Sequence, residues 1–504
     1  MRKLILTLLV LSASVLAAVG CGSEDEAASG ASELVPARAA FYGEATLKPE
    51  GDQKEAVDAI LAKFPGGGQA GDRLKELIDK ALREADAPVS FKQDIEPWLG
   101  DEAAFFASGI GGDGNFKSTA ALVATEDEDA ALEAVEKTGE GKITRKTYKD
   151  VEYMTDESKE AAAVFDGFVV LGSEAGVKAV IDTKDGGSKL SDDDRYNKAI
   201  KDAAEDRLGL LFVNSPELKR SLQQAGTPMP DSFRELFDEP FVATLDADRD
   251  GVTFEGSVPE EVGRISFFGQ GSDLLTELPS DSWLATAQTE FGQVLDFFVG
   301  AFAGVAGGRD AVEQQFKAAT GLDLQRDVID WMGDFGVFVR GTSVAELDGA
   351  LVIETKDEQA SGRFLDAIER LARTQGGGQV EVAPRGGGGF TVAIPGVPQQ
   401  IHAFQEGGRV VFAYGERAAS DAIDPGETLG DSPEFTDAQQ SLGDYDVSMF
   451  VLMQPIFDLV DSTEAANDAD WQEAKAYLEP LDALVGGTSG DGDELRSAMK
   501  LIVK

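Results

Sequence analysis

Very few residues of this sequence have side chains suited to nucleophilic or metal chemistry. The chain of 504 residues contains one histidine, His402, and one cysteine, Cys21. Zinc sites of the Cys/His type and Ser-His-Asp triads need several such groups in one place, and no serine is convincingly paired with His402. We therefore interpret His402 as a partly buried or surface histidine, and we predict no metal and no cofactor.

Three aspartates have the spacing found at the start of a calcium-binding loop. Asp246, Asp248 and Asp250 stand at its first, third and fifth positions and are followed by a glycine. The twelfth position, which needs a bidentate glutamate, is Ser257. The flanking segments also have strand patterns, so a hairpin turn is favoured. Weak cation binding at the three aspartates is the alternative.

Carboxylates are abundant throughout the chain. There are 92 Asp and Glu against 45 Lys and Arg, which gives a formal net charge of −47. Some acid pairs must then lie close together by chance, so a pair such as Asp94 and Asp101 is poor evidence for glycosidase chemistry. A surface of this charge repels phosphate backbones, and we expect no nucleic-acid partner.

Two further patterns could be mistaken for ligand sites. One basic cluster comprises Lys142, Arg145, Lys146 and Lys149. We expect it to meet acidic side chains within the protein, the alternative being an anionic envelope polymer. The glycine runs at 66–68, 376–378 and 386–389 lack the Lys and Ser/Thr of a phosphate-binding loop and are predicted to be mobile surface loops.

The N-terminus has the features of a secretory signal. A basic Met1-Arg2-Lys3 precedes an apolar run over residues 4–19, which is short for a membrane span, and Gly20-Cys21 follows. This arrangement resembles a bacterial lipobox, in which the cysteine is diacylated and becomes the mature N-terminus. We predict a signal peptide over 1–20, lipidation at Cys21 and an acidic tether over 21–32. The alternative is an ordinary signal peptide with an incidental cysteine.

The rest of the chain contains an internal duplication. DIEPWLGD at residues 94–101 recurs as DVIDWMGD at 327–334, and other landmarks recur in the same order. This predicts two similar units, residues 33–259 and 277–504, joined by a connector over 260–276. Landmark alignment matches Ala121 with Ala350, and His402 with Ala162, so the histidine is not part of a duplicated site.

The elements that must position any site follow one pattern in both units. A strand leads into two helices, the Trp-Gly-Asp segment, hairpins and a further helix, and short Gly/Asp turns imply antiparallel pairing. The predicted fold class is α+β, with two tandem similar lobes of mainly antiparallel sheet and packed helices. The apolar stretch 294–306 is predicted to be a buried core helix.

Each Trp-Gly-Asp segment is interpreted as a helix end. Gly100 and Gly333 would take the first position after the helix, while Trp98 and Trp331 pack on the core. The alternative is that each tryptophan is a stacking platform for a sugar or another ligand.

Together these motifs resemble a domain-of-unknown-function family of bacterial secreted or envelope lipoproteins. The resemblance rests on the lipobox, the Leu34-Val35-Pro36 opening, the Lys63-Phe64-Pro65 helix end and the paired Trp-[Leu/Met]-Gly-Asp segments. The family has no established activity, so the resemblance implies location and architecture and no catalytic residue.

The predicted function is non-catalytic binding or scaffolding in the cell envelope. The expected location is extracytoplasmic, with a lipid anchor in the bacterial cell membrane, and the expected partners are that membrane and an envelope protein or polymer. The alternatives are a transporter's solute-binding lipoprotein and a carboxylate-dependent hydrolase.

Overall fold

The structure, a computed structural model, describes most of the chain from residue 30 to residue 504. Outside the described residues are 1–29, 68–74, 77, 81, 84–86, 139–142, 158–159, 202, 205, 227–236, 260–268, 376–379 and 491–493. The described residues up to Gly256 form one compact unit, unit 1, and those from Ser257 onward form unit 2. Cys21, the predicted signal peptide and the tether up to residue 29 lie outside the described residues.

Unit 1 combines an antiparallel sheet with helices, five of which have both ends within the described residues. The helices are α1 (Gly51–Lys63), α2 (Glu128–Thr138), α3 (Glu174–Lys184), α4 (Asp194–Ala199) and α5 (Ser215–Gln224). The strands are β1 (Phe41–Thr46), β2 (Leu99–Ala107), β3 (Gly109–Ile110), β4 (Phe116–Lys117), β5 (Ala120–Thr125), β6 (Thr144–Tyr148), β7 (Val151–Thr155), β8 (Glu160–Phe165), β9 (Phe168–Ser173), β10 (Gly209–Val213), β11 (Phe241–Asp248) and β12 (Gly251–Pro259), the last of which runs on into unit 2.

Unit 2 likewise combines helices with an antiparallel sheet. Its helices are α6 (Leu274–Glu277), α7 (Phe291–Ala306), α8 (Arg309–Thr320), α9 (Glu358–Gln375), α10 (Glu416–Asp421), α11 (Pro433–Leu442), α12 (Met453–Asp461) and α13 (Ala469–Leu478). Its strands are β13 (Leu284–Gln288), β14 (Met332–Arg340), β15 (Asp348–Thr355), β16 (Glu381–Pro384), β17 (Phe390–Ala393), β18 (Ile401–Glu406), β19 (Arg409–Tyr414), β20 (Asp446–Leu452), β21 (Leu481–Ser489) and β22 (Glu494–Val503).

The strands of the two units are paired in the same order. In unit 1 the order is β11-β10-β1-β2-β5-β9-β8-β7-β6. In unit 2 it is β21-β20-β13-β14-β15-β19-β18-β17-β16, and β22 pairs with the outer side of β21. All of these pairs are antiparallel, and the first strand of each unit lies inside its sheet. The predicted α+β class with mainly antiparallel sheet is confirmed.

Helices cover both faces of each sheet. In unit 1 one face packs Tyr42, Phe106 and Phe212 against α3 and α4, and the other packs Trp98 against α2. Because both faces are covered, β9 is apolar along most of its length instead of alternating with polar residues, and Phe168–Gly172 are all buried. Unit 2 has an equivalent pair of cores.

The pairing register corrects the sequence alignment of the two units by one residue. Phe106 pairs with Ala120 in unit 1, as Phe338 pairs with Ala350 in unit 2. Ala120, and not Ala121, therefore corresponds to Ala350. A slip of one residue moves every side chain of a strand to the other face, and Ala120 and Ala350 do lie in the equivalent cores.

Segments predicted as tether and connector contribute to these cores. Ala31 begins a short 3-10 turn and has no exposed surface. Leu274 and Leu275 in α6 are 3% and 1% exposed and pack in unit 2. Packed residues are therefore also found on the N-terminal side of the predicted unit starts, residues 33 and 277.

Helix α7 is not the buried core helix that its composition predicts. Leu295 and Val299 pack against the core, but Phe298 and Phe302 are 56% and 62% exposed. The prediction was wrong because the length of the apolar stretch and its flanking charges do not show which sides of the helix the core covers.

Candidate functional site

The paired tryptophans are core residues. Trp98 and Trp331 are 1% and 0% exposed. Each indole N–H donates to the backbone carbonyl four residues earlier, that of Asp94 at 2.5 Å and that of Asp327 at 3.1 Å. A ring without exposed surface offers no stacking platform, so the core interpretation is confirmed.

Single π-helical turns, Phe91–Ile95 and Gln325–Ile329, precede the two tryptophans. Asp94 and Asp327 cap them by accepting hydrogen bonds from the backbone N–H groups of Ser90 and Asp323. The Ser90 N–H, with help from Lys137, lowers the pKa of Asp94. The side-chain bond from Arg326, supported by Arg363, lowers that of Asp327. These acids therefore stabilise the turns and are not free for acid–base chemistry.

The glycines of these segments do not end a helix, which corrects the prediction. Gly100 and Gly333 lie in β2 and β14 and are not among the glycines with positive φ. A Cβ on Gly100 would lie 2.7 Å from the Cβ of Ala124, and one on Gly333 would lie 3.0 Å from the carbonyl oxygen of Glu354. Glycine is required by the close approach of the neighbouring strand.

The basic cluster meets acids within unit 1, as predicted. Lys146 lies 3.1 Å from Glu174. Lys149 lies 2.8 Å from Asp182, and Arg145 pairs with Glu136 and Glu152. Lys142 lies outside the described residues.

His402 is 3% exposed, in the middle of β18. Its Nδ1 lies 3.4 Å from a carboxylate oxygen of Glu416 but has no hydrogen bond. Burial lowers its pKa. It pairs with Ala413, as Ala161 pairs with Gly172 in unit 1. Its counterpart is therefore Ala161 and not Ala162, by the same shift of one residue.

The three aspartates of the predicted turn do not converge on one point. Oδ1 of Asp248 accepts from the backbone N–H of Asp250 at 2.8 Å and of Gly251 at 3.0 Å. Asp246 lies in β11, where burial raises its pKa. Across the described residues, no group of three or more Asp, Glu, His or Cys side chains could hold a metal ion. The corresponding turn of unit 2 falls partly on residues 491–493, outside the described residues.

Unit 1 contains two neighbouring glutamates of which one has a raised pKa, an arrangement that acid–base catalysis can use. Glu44 and Glu102 are diagonal neighbours on β1 and β2. Burial raises the pKa of Glu102 to about 7, and Glu44 adds to the rise. Both oxygens of Glu102, however, accept from the backbone N–H of Ala31, at 3.0 and 3.1 Å. Glu44 is bound by the Tyr42 hydroxyl at 2.6 Å and by Arg207. These bonds hold the first turn of the unit in place, and we assign the pair a structural role.

A cavity of about 380 Å³ opens on unit 2. It lies between one face of α9 and two glycine turns, one before β17 and one between β18 and β19. Its lining residues are Glu358, Gly362, Leu365, Asp366, Glu369, Gly388, Gly389, Phe390, Gln405, Glu406, Gly407 and Gly408. Sequence analysis missed it because the glycines were interpreted only as surface loops.

Local backbone geometry explains why the two turns that line the cavity consist of glycines. Gly407 and Gly408 have φ of 60° and 79°, the conformation of a two-residue hairpin turn that favours glycine. Gly389 has φ of 81°, and a Cβ there would lie 2.2 Å from the carbonyl oxygen of Ala403. The backbone conformation therefore favours glycine at Gly389, Gly407 and Gly408. Because glycine has no side chain, the space beside these turns stays open.

At the equivalent position in unit 1 a hydrogen bond joins the turn to the helix. There the turn Asp166-Gly167 joins β8 and β9, and the backbone N–H of Gly167 donates to the Glu128 carboxylate of α2 at 2.8 Å. Glu358 holds the corresponding place at the start of α9. Within the described part of the chain, no such bond joins it to Gly408. The duplication thus retains the turn while unit 2 has an opening beside it.

The cavity is lined by acidic side chains above an apolar floor. Four carboxylates line it, those of Glu358, Asp366, Glu369 and Glu406, with no Lys or Arg among the lining residues. Leu365 and Phe390 are 6% and 3% exposed and belong to the core beneath it. A surface of this charge favours cations over anions.

Fold and site together define a tandem α+β protein of antiparallel sheets with a small acidic cavity in its second unit. The chain belongs to the DUF3352 family, a protein family of unknown function, which it matches over residues 4–497. In the described part of the chain, no helix is long and apolar enough to cross a membrane.

No curated protein matches this chain. Among solved structures, crystal form I of TP0453 is similar at 10% sequence identity, over 46% of this chain and 79% of that one, with a TM-score of 0.24. Crystal form IV of TP0453 is similar at 10% identity, over 48% and 87%, with the same TM-score. A likeness of this degree adds nothing to the description of the fold.

Proposed function

We propose that this protein is a non-catalytic binding protein of the bacterial cell envelope. It is anchored outside the cytoplasm by a lipid on Cys21, and it binds a small organic cation in the cavity of unit 2. The observation that carries the binding role is the cavity beside α9, which four carboxylates line and whose lining residues include no Lys or Arg.

Size and chemistry define the ligand class. A volume of about 380 Å³ is at the lower end of the range for small-molecule sites. An amine or guanidinium group would lie among the carboxylates, and a short aliphatic stem would contact Leu365 and Phe390. A basic side chain of an envelope protein has the same chemistry as a free amine such as spermidine.

A non-catalytic role is supported by the state of the acids. Glu369 is held by Arg373, at 3.0 and 2.6 Å. Asp366 and Glu406 are exposed, and a hydrated carboxylate is a poor general acid at neutral pH. Glu102, whose pKa is raised to about 7, accepts hydrogen bonds from the backbone N–H of Ala31.

The binding role is tested by titrating spermidine into the protein by calorimetry, with succinate as an anionic comparison. We expect Asp366→Asn with Glu406→Gln to weaken spermidine binding by about two- to thirtyfold, because each of the two exposed ion pairs contributes roughly 0.2–1 kcal/mol. Asp437→Asn, an exposed acid on α11, is the matched control. Equal weakening by the control would show that spermidine responds only to the net charge.

The anchor is tested separately in cells. Cys21→Ser should release the protein from the membrane fraction. Continued membrane attachment of this variant through its N-terminus would contradict lipidation at Cys21.

A further inference from the structure

The outer face of α7 exposes two large aromatic side chains. Phe298 and Phe302 lie one helical turn apart and are 56% and 62% exposed. No other large hydrophobic side chain among the described residues is as exposed as these two. Singly exposed apolar residues are common on proteins, but adjacent aromatic rings on one helix face mark an interaction surface.

The opposite face of α7 is fixed to the core. Leu295 and Val299 pack on the cluster that contains Trp331, and Ala303 is 4% exposed. A Cβ on Gly292 would lie 2.5 Å from the carbonyl oxygen of Ile329, so the helix begins in close contact with the π-helical turn. The helix is thus anchored by its inner face, and the two outer rings are left in solvent.

Charge is absent from this part of the sequence. From Phe297 to Gly308 there is no charged residue, although 27% of the whole chain is charged. The nearest charges are Asp296, in the first half of α7, and Arg309, the first residue of α8, and they pair with each other. The exposed face therefore has no feature that would recognise an ionic partner.

The fold itself does not require an apolar outer face here. In unit 1, α1 follows the first strand β1 as α7 follows β13. The exposed residues of α1 include Asp52, Glu55 and Asp58. The same architecture is therefore compatible with a charged, hydrated helix, and the apolar face is particular to α7.

We propose that the outer face of α7 docks on the lipid surface of the membrane. The inference rests on the proposed function for the presence of that membrane, since a lipid on Cys21 keeps the chain at high local concentration beside it. At 16 residues α7 is about 24 Å long, less than the roughly 30 Å of a bilayer core. It therefore lies in the interface with Phe298 and Phe302 among the acyl chains.

A second copy of the chain is a poorer occupant than lipid. Each copy has a net charge of −47, so two copies repel each other, and two phenylalanines cover only a small contact area. A zwitterionic bilayer has no net charge to oppose the approach, and it accepts aromatic side chains at its interface.

The test is flotation with phosphatidylcholine vesicles, using a chain that begins at Gly22 and keeps every described residue. The wild type should float with the vesicles. Phe298→Ser with Phe302→Ser should lower its partition coefficient about thirtyfold, because half-exposed rings lose roughly half of a full phenylalanine transfer. Phe116→Ser removes a ring that is 53% exposed in unit 1 and should change nothing.

A second variant guards against misfolding. Phe302→Trp keeps the face apolar, and its added fluorescence should shift to shorter wavelength on mixing with vesicles. A wild type that fails to float, or a double variant that floats as well as the wild type, overturns the proposal. So does a concentration-dependent dimer that the double variant abolishes. This chain has no lipid anchor, so these outcomes are independent of the test of Cys21.

Discussion

Replacing Glu102 by glutamine should make unit 1 more stable at alkaline pH and leave it unchanged in acid. The folded protein holds this carboxyl with its pKa raised from 4.5 to about 7, chiefly by burial, while the unfolded chain has the lower value. Above pH 7 the folded state must therefore carry a buried charge. Below pH 4.5 the group is neutral in both states and the difference disappears.

The magnitude follows from the pKa shift. A rise of about 2.5 units at about 1.4 kcal/mol per unit corresponds to a loss of about 3 kcal/mol from the free energy of unfolding between pH 4.5 and pH 8. Glutamine cannot ionise, but its amide oxygen can still accept from the backbone N–H of Ala31. Glu102→Gln should therefore gain up to about 3 kcal/mol over the wild type at pH 8.

Hydrogen exchange of the amides in β1 and β2 is the suitable assay, since a protein of two units does not have one well-defined melting temperature. Exchange rates of wild type and variant are measured from pH 4.5 to 8 and divided by the intrinsic exchange rate at each pH, which gives the free energy of opening. Glu133→Gln, on a side chain that is 70% exposed, is the control and should show no such difference. A stability difference that does not change with pH, or a variant less stable at pH 8, would refute the reasoning.

Three further changes probe unit 2 by the same exchange assay. Arg340→Met leaves three carboxylates around a site that is 2% exposed and should cost about 3–5 kcal/mol. Arg417→Met, at 64% exposure, should cost under about 1 kcal/mol, and equal losses would contradict the role of burial. Gly389→Ala should destabilise by about 2 kcal/mol or more, because the new Cβ would clash at positive φ, whereas Gly386→Ala meets open space and should be neutral. Trp331→Phe should cost about 1–3 kcal/mol through its lost hydrogen bond and a void, and a neutral result would contradict the core role of the indole.

The sequence was sufficient to predict the antiparallel α+β class because turn residues and alternating strands are local signals. The buried tryptophans and the pairing of Arg145, Lys146 and Lys149 with nearby acids were predicted for the same reason. The order of landmarks also pointed to two similar units. The unit boundaries and the anchor at Cys21 stay predictions.

What local signals could not predict was register and exposure. Matching Ala121 with Ala350 was wrong by one residue because identical small residues occur on both faces of a doubly covered sheet, so composition does not fix the register. Gly100 and Gly333 were assigned to a helix end, since a close approach between strands is invisible in a linear pattern. The exposed rings of α7 were missed because a short apolar stretch flanked by charges is compatible both with a core helix and with a helix that has one exposed face.

The cavity of unit 2 was the hardest feature to predict. It depends on a missing bond, the one that Glu128 makes with Gly167 in unit 1, and on turns whose glycines carry no side chain. Its carboxylates come from α9 and from a turn about forty residues later. The alignment of the two units in sequence did not show that these two segments lie side by side.

The central position of β1 affects how the chain acquires its structure as it emerges. Phe41 pairs with Val213, roughly 170 residues further along the chain. Leu284 pairs with Val451 over a similar separation. At a synthesis rate of about 5–20 residues per second, the first strand of each unit spends roughly 10 to 30 s without one of its two neighbours. Pairing over such separations makes folding slow, and a nascent chain that cannot close its sheets early keeps the edges of its first strands unpaired until the last strands are made.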